Sequence, residues 1–131
     1  MSELPDTDQA RREAGMRTRR EVLGDAHVDR AVAGTTPFTA GFQDFITRIA
    51  WGDVWQRPGL SRRDRSLLTL GITIALRHWD EFALHVRAAV NNGLSDEEIG
   101  EAIQHAAVYA GVPAANHAFK VAGPILAELR G

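Results

Sequence analysis

Apolar residues recur along this chain with a helical period, and the alternating Val, Ile and Thr that mark strands are nearly missing. Residues 6–23 are polar and charged with sparse apolar positions at Ala10, Ala14, Met16 and Val22, which predicts a surface helix or a partner-dependent arm. Residues 1–16 are expected to be only partly ordered. Residues 24–37 mix Gly, Asp, His, Thr and Pro around a short helix-like piece at 28–32. Phe38, Phe42, Phe45, Ile46 and Ile49 then fall on one helical face. After the turn Arg57-Pro58-Gly59, Ser61 and Asp64 resemble a capping box with Asp in place of the usual Glu. The helix opened there is apolar nearly all round, at Leu67, Leu68, Leu70, Ile72, Ile74, Ala75 and Leu76, and is expected at the centre of the domain.

The polar run 77–80 interrupts that helix, and a new one over 81–91 closes on Gly93, a position suited to a left-handed cap. Ser95 with Glu98 is a second capping box, opening a helix over 96–110 that Gly111 ends. Pro113 fits the first turn of a last helix reaching about residue 129. Five or six helices with short connections predict an all-α orthogonal or bundle-like fold.

A chain of 131 residues suits one domain over 1–131, built around one site. Its 44% hydrophobic and 24% charged residues are ordinary for a globular protein. Fifteen basic against seventeen acidic side chains leave −2, no electrostatic footprint for nucleic acid or an anionic membrane. Apolar runs break well before the roughly 20 residues of a membrane helix, and residues 1–20 lack a signal-peptide stretch, so the expected compartment is the cytoplasm. The absence of cysteine excludes disulfides, thiolate metal sites, cysteine nucleophiles and dithiol redox chemistry. Fourteen of the fifteen basic residues are Arg, which offers many planar carboxylate-binding forks or reflects codon bias.

Glu81 and His85, four residues apart, share one helical face a turn apart. A carboxylate beside an imidazole raises the His pKa and keeps it available as an acid near neutrality, which suits proton delivery; a surface pair with little role is the alternative. Arg77, His78 and Asp80 crowd the start of that helix, where the dipole favours an anion. His78, Glu81 and His85 are the one triad that suggests metal, and without a characteristic motif no metal is expected. Trp51 and Trp55, in the string 51–60 with Gly52 between them, are followed by Arg62, Arg63, Arg65 and Ser66. Indoles at this spacing serve packing, or with the guanidinium groups they wall and clamp a small carboxylated ring. Tyr109, Asn116 and His117 are further polar candidates.

These clusters, with Gly24-Asp25-Ala26-His27-Val28-Asp29-Arg30 and Val108-Tyr109-Ala110-Gly111-Val112-Pro113-Ala114-Ala115-Asn116, resemble the 4-carboxymuconolactone decarboxylase family over residues 17–126. The most specific stretches are 51–60 with Arg63, Arg65, Ser66 and Leu67, and Glu81, Leu84, His85, Arg87 and Ala88 leading to Gly93. The resemblance implies an all-α, alkylhydroperoxidase D-like domain of five to seven helices, assembled as a homo-oligomer, trimer or hexamer, with sites close to subunit contacts. Peroxidase relatives in the wider superfamily carry a C-x-x-C pair followed by His. With His85 at that His position, His78 and Glu81 occupy the cysteine positions and Ser66 replaces an upstream Glu. Thiol-dependent peroxide reduction is therefore excluded, while the retained Glu and His fit the decarboxylase branch.

Family membership implies conversion of 4-carboxymuconolactone, a dicarboxylate lactone, into 3-oxoadipate enol-lactone and carbon dioxide in the protocatechuate branch of aromatic catabolism. No cofactor is expected, because the departing carboxylate's electrons delocalise through the ring C=C onto the lactone carbonyl. What remains for the protein is orientation, oxyanion stabilisation, a poorly solvating site and protonation of carbon. His85 is the expected proton donor, with Glu81 holding its tautomer and charge. Arg63 or Arg65 is expected on the non-reacting carboxylate, and Trp51 and Trp55 on the ring. Ser66, Tyr109, Asn116 and His27 rank behind them, with His78 also a candidate lining residue. Two rivals remain: a same-fold enzyme for another carboxylated lactone or β-oxo acid, and a non-catalytic oligomeric helical module in which Glu81 and His85 face solvent.

Overall fold

The computed structural model describes residues 4–131, which form seven α-helices and, among the described residues, no strand. The chain divides into two compact units, Met1–Leu60 and Ser61–Gly131.

In the first unit α1 spans Asp8–Leu23, α2 Asp25–Ala33 and α3 Ala40–Ile46, followed by a π-helical turn Thr47–Trp51 and a 3₁₀ turn Val54–Gln56. The Thr7 hydroxyl accepts from the Ala10 N–H at 3.0 Å and caps α1. This helix is less of a surface element than its polar sequence predicts. Gly15, Thr18 and Arg19 are buried along with Ala14 and Val22. The cause is a backbone-to-backbone seam: a Cβ on Gly15 would collide with the Thr47 carbonyl oxygen, and one on Gly52 with that of Arg11. Gln56 reinforces the seam, its Nε2 donating to the Ala14 carbonyl at 3.2 Å and the Trp51 carbonyl at 3.0 Å. The aromatic stripe departs from a single helical face, because α3 ends at Ile46 and the π turn widens the next five residues. Phe38 stands 95% exposed, while Phe42 and Phe45 stack on each other at 6.5 Å and remain exposed.

The second unit holds α4 (Arg62–Ala75), α5 (Trp79–Asn91), α6 (Asp96–Ala110) and α7 (Val112–Arg130). Both expected caps form: the Ser61 hydroxyl accepts from the Asp64 N–H, and Ser95 with Glu98 makes the full reciprocal box. α4 packs on α5 and α6, and α7 packs on the same two, around a core that includes Leu70, Ile74, Phe82, Val86, Ile99 and Ile103. Small residues of α7, Ala114, Ala118 and Ala122, let it approach closely. Gly111, at φ 104°, lets α7 start directly after α6, a conformation costly for any side chain bearing Cβ. α4 is central, yet enclosed on one flank only: Leu70 and Ile74 are fully buried, whereas Leu68, Ile72 and Leu76 are exposed. α5 starts two residues earlier than its polar beginning predicts, because the Trp79 ring packs edge-on against Phe82 at 5.8 Å and against His117 at 4.5 Å. No helix among the described residues is long and apolar enough to cross a membrane.

Candidate functional site

The buried stripe of α5 runs Phe82, His85, Val86, Ala89, so an imidazole occupies a position that helical period assigns to the core. His85 is only 7% exposed, and its Nδ1 is shut away from solvent. Glu81, one turn earlier and near the helix start, keeps 62% of its side chain in solvent. Its Oε2 lies 4.0 Å from His85 Nε2. That separation exceeds a hydrogen bond, so the contact is electrostatic. The arrangement presents one nitrogen of a desolvated ring to a carboxylate that reaches water. Such a ring can give a proton to a bound molecule and regain one through its outward neighbour.

The basic cluster of α4 is divided among different tasks. Arg63 forks onto Glu98 Oε2, with Nη1 at 3.1 Å and Nη2 in closer contact. The Ser95 backbone N–H and then Arg63 hold the Glu98 carboxyl below its ordinary pKa. Ser66 is fully buried, and its Oγ accepts from Asn92 Nδ2 at 2.9 Å, tying α4 to the end of α5. Arg65 is half-buried with its Nε closed off from solvent. Tyr109 lies elsewhere on the unit. It is exposed, faces the His105 ring at 5.2 Å, and borders a groove of about 380 Å³ whose floor includes Gly71, Ala75, Ala102 and Ala106.

Trp51 and Trp55 belong to the first unit, where their rings stack at 5.0 Å and 29° with Trp51 buried. His27 is half-buried on α2 of that unit; His78 precedes α5 and is exposed, as is Asn116 on α7. Among the described residues no group of three or more His, Asp or Glu side chains converges as metal ligands. Within the second unit the structure therefore brings together Glu81 with His85, Arg63 with Glu98, and Ser66 with Asn92, and sets Tyr109 beside His105. Glu98 and Asn92 were missed as partners. The signal for Glu98 was its capping role, which fixes it at the N-terminus of α6; for Asn92 there was none beyond adjacency to Gly93.

The model of the carboxymuconolactone decarboxylase family matches residues 40–123. The 4-carboxymuconolactone decarboxylase of Acinetobacter baylyi is 44% identical over 122 residues, 93% of this chain and 91% of that one. A nitrosuccinic acid decarboxylase of Metarhizium robertsii is 54% identical over 99 residues, 76% of this chain and 69% of that protein. A 4-carboxymuconolactone decarboxylase of Pseudomonas putida is 52% identical over 46 residues, 35% of this chain and 96% of that sequence. With a helical architecture, a half-open imidazole and carboxylate pair, and these relatives, the chain belongs to the carboxymuconolactone decarboxylase family.

Proposed function

We propose that this chain removes carbon dioxide from 4-carboxymuconolactone to give 3-oxoadipate enol-lactone without a cofactor. The observation that carries the reading is the 44% identity to the Acinetobacter baylyi decarboxylase across 93% of the chain. The single-domain reading is supported by a family match that runs from residue 40 to 123. In the reaction the C–C bond to one carboxylate breaks, its electron pair enters the conjugated lactone, and carbon is reprotonated. His85 supplies that proton and Glu81 stabilises and reloads the ring; the 7% exposure of His85 beside an exposed carboxylate supports this pairing. Arg63, which also holds Glu98, or Arg65 receives the non-reacting carboxylate. Ser66, whose Oγ accepts from Asn92, and Tyr109 are second-rank candidates for contact with the substrate. A clamp on the reacting carboxylate would stabilise the ground state more than the transition state, so none is assigned there.

The Metarhizium robertsii relative favours one second reading, a nitrosuccinic acid decarboxylase. The chemistry has the same logic, because a nitro group on the carbon that loses its carboxylate takes the electron pair as the ring carbonyl does. Exposed Phe38, Phe42, Leu68, Ile72 and Leu76 support assembly as a homo-oligomer; three or six copies and a cytoplasmic location follow from the family resemblance alone. The test supplies each acid separately to purified protein, follows product by NMR, and repeats the assay with a His85→Gln variant. Turnover of 4-carboxymuconolactone that depends on His85 is expected. Turnover of nitrosuccinate alone selects the second reading, and no turnover of either by folded protein overturns both.

A further inference from the structure

Within the second unit α4 and α6 run side by side in the same direction: Arg63 meets Glu98 at their N-terminal ends, and Ala75 and Ala110, their last residues, line one groove at the other. The floor of that groove of about 380 Å³ is made of small residues, Gly71 and Ala75 from α4 and Ala102 and Ala106 from α6, each pair four residues apart. Beside it on α4 stands a ridge of the same spacing, Leu68, Ile72 and Leu76, all exposed. A hollow and a ridge of equal pitch on one helix are self-complementary, so two copies related by a two-fold axis can each seat the ridge in the other's groove. Charge selects the direction. At its Leu67 and Ala102 end the groove opens into a mouth bordered by Glu97 and Glu101, whereas exposed Arg77 follows Leu76 at the far end of the ridge. Glu98 in that mouth is held by Arg63. Antiparallel α4 helices centred on Ile72 set Leu76 and Arg77 of one copy at the level of Leu67 in the other, and so beside Glu101, twice per pair.

We propose that a second copy of this chain covers the groove through a two-fold contact in which α4 packs antiparallel on its counterpart, with Leu68, Ile72 and Leu76 in the opposite groove and Arg77 against Glu101 of the other copy. The contact gives a surface to the assembly proposed above and rests on that reading. Covering the aliphatic ridge drives association, the small floor lets the backbones approach, and the opposed charges fix direction.

Particle mass is measured by sedimentation velocity on the whole chain from about 0.1 to 100 μM, a range that spans ordinary association constants. Gly71→Leu fills the hollow from within; a Cβ at that position meets nothing within 4 Å, so the variant is expected to keep its own fold, which circular dichroism checks. It is expected to halve the particle mass, whether the pair stands alone or joins a larger ring, or to weaken association by about 100-fold or more. Glu101→Arg and Arg77→Glu are each expected to weaken association by about tenfold. Combined, they are expected to restore it to within about threefold of wild type, because each exchanged charge again meets its opposite across the axis. A wild-type chain that is monomeric throughout overturns both this contact and the assembly reading. Assembly that Gly71→Leu leaves unchanged assigns the groove to another occupant and overturns this contact alone, as does a double variant as weak as the single ones.

Discussion

Asp44 in the first unit and Glu81 in the second each face a basic side chain four residues further along the chain, and the two carboxylates are held in opposite ways. Asp44 accepts from Arg48 Nε at 2.8 Å and from Arg12 Nε at 2.7 Å, and these contacts, Arg12 first, lower its carboxyl to about 2. Glu81 stands 4.0 Å from an imidazole and remains mostly in solvent. The closely held carboxylate has its lone pairs filled and serves as an anchor between α1 and α3. The loosely held one keeps freedom to move, which suits the proton reloading proposed for it. Close hydrogen bonding thus marks support, and a desolvated ring with a slack partner marks the place where chemistry is expected.

That contrast can be broken most severely at the ring itself. His85→Gln keeps a side chain of similar reach and removes the acid, so kcat/KM for the decarboxylation is expected to fall by about 100- to 10,000-fold with helicity unchanged by circular dichroism. Normal turnover in that variant would remove the imidazole from the mechanism. Glu81→Gln deletes a charge acting at 4.0 Å in largely aqueous surroundings, worth about 1 kcal/mol, so a rate loss of about fivefold is expected. A loss as large as that of His85→Gln would mean that Glu81 touches the substrate. Asp44→Asn has the smallest effect and falls on stability alone. With a folded pKa of about 2 against an ordinary 3.8, the Asp44 carboxylate stabilises the fold above pH 3.8, and that contribution is lost as pH falls through about 2. Urea titrations of wild type and Asp44→Asn should therefore differ at pH 7 and converge in the acid, with decarboxylation unaffected.

Elements whose ends are written in side-chain chemistry were legible before any coordinates. Ser95, Glu98 and Gly111 fix α6 at Asp96–Ala110, the same residues that capping rules predict. The pairing of Glu81 with His85 was equally legible, since it follows from helical spacing. The burial of that ring was not, because a period identifies a face and not what lies over it. The same limit explains Phe38 and Leu68, apolar positions that the chain leaves in solvent. Gly15 gave no signal amid charged neighbours, and the burial of Arg19 was hidden with it, because both depend on how closely two backbone segments approach.

The Gly15 and Gly52 contact also says how a helix as poor in apolar side chains as α1 stays attached. Backbone atoms meeting at van der Waals distance contribute dispersion energy that does not fade on cooling, unlike attachment through released hydration water. Near freezing, α1 should thus hold its place at least as firmly as helices fastened by leucine and isoleucine, giving the first unit a cold-tolerant seam.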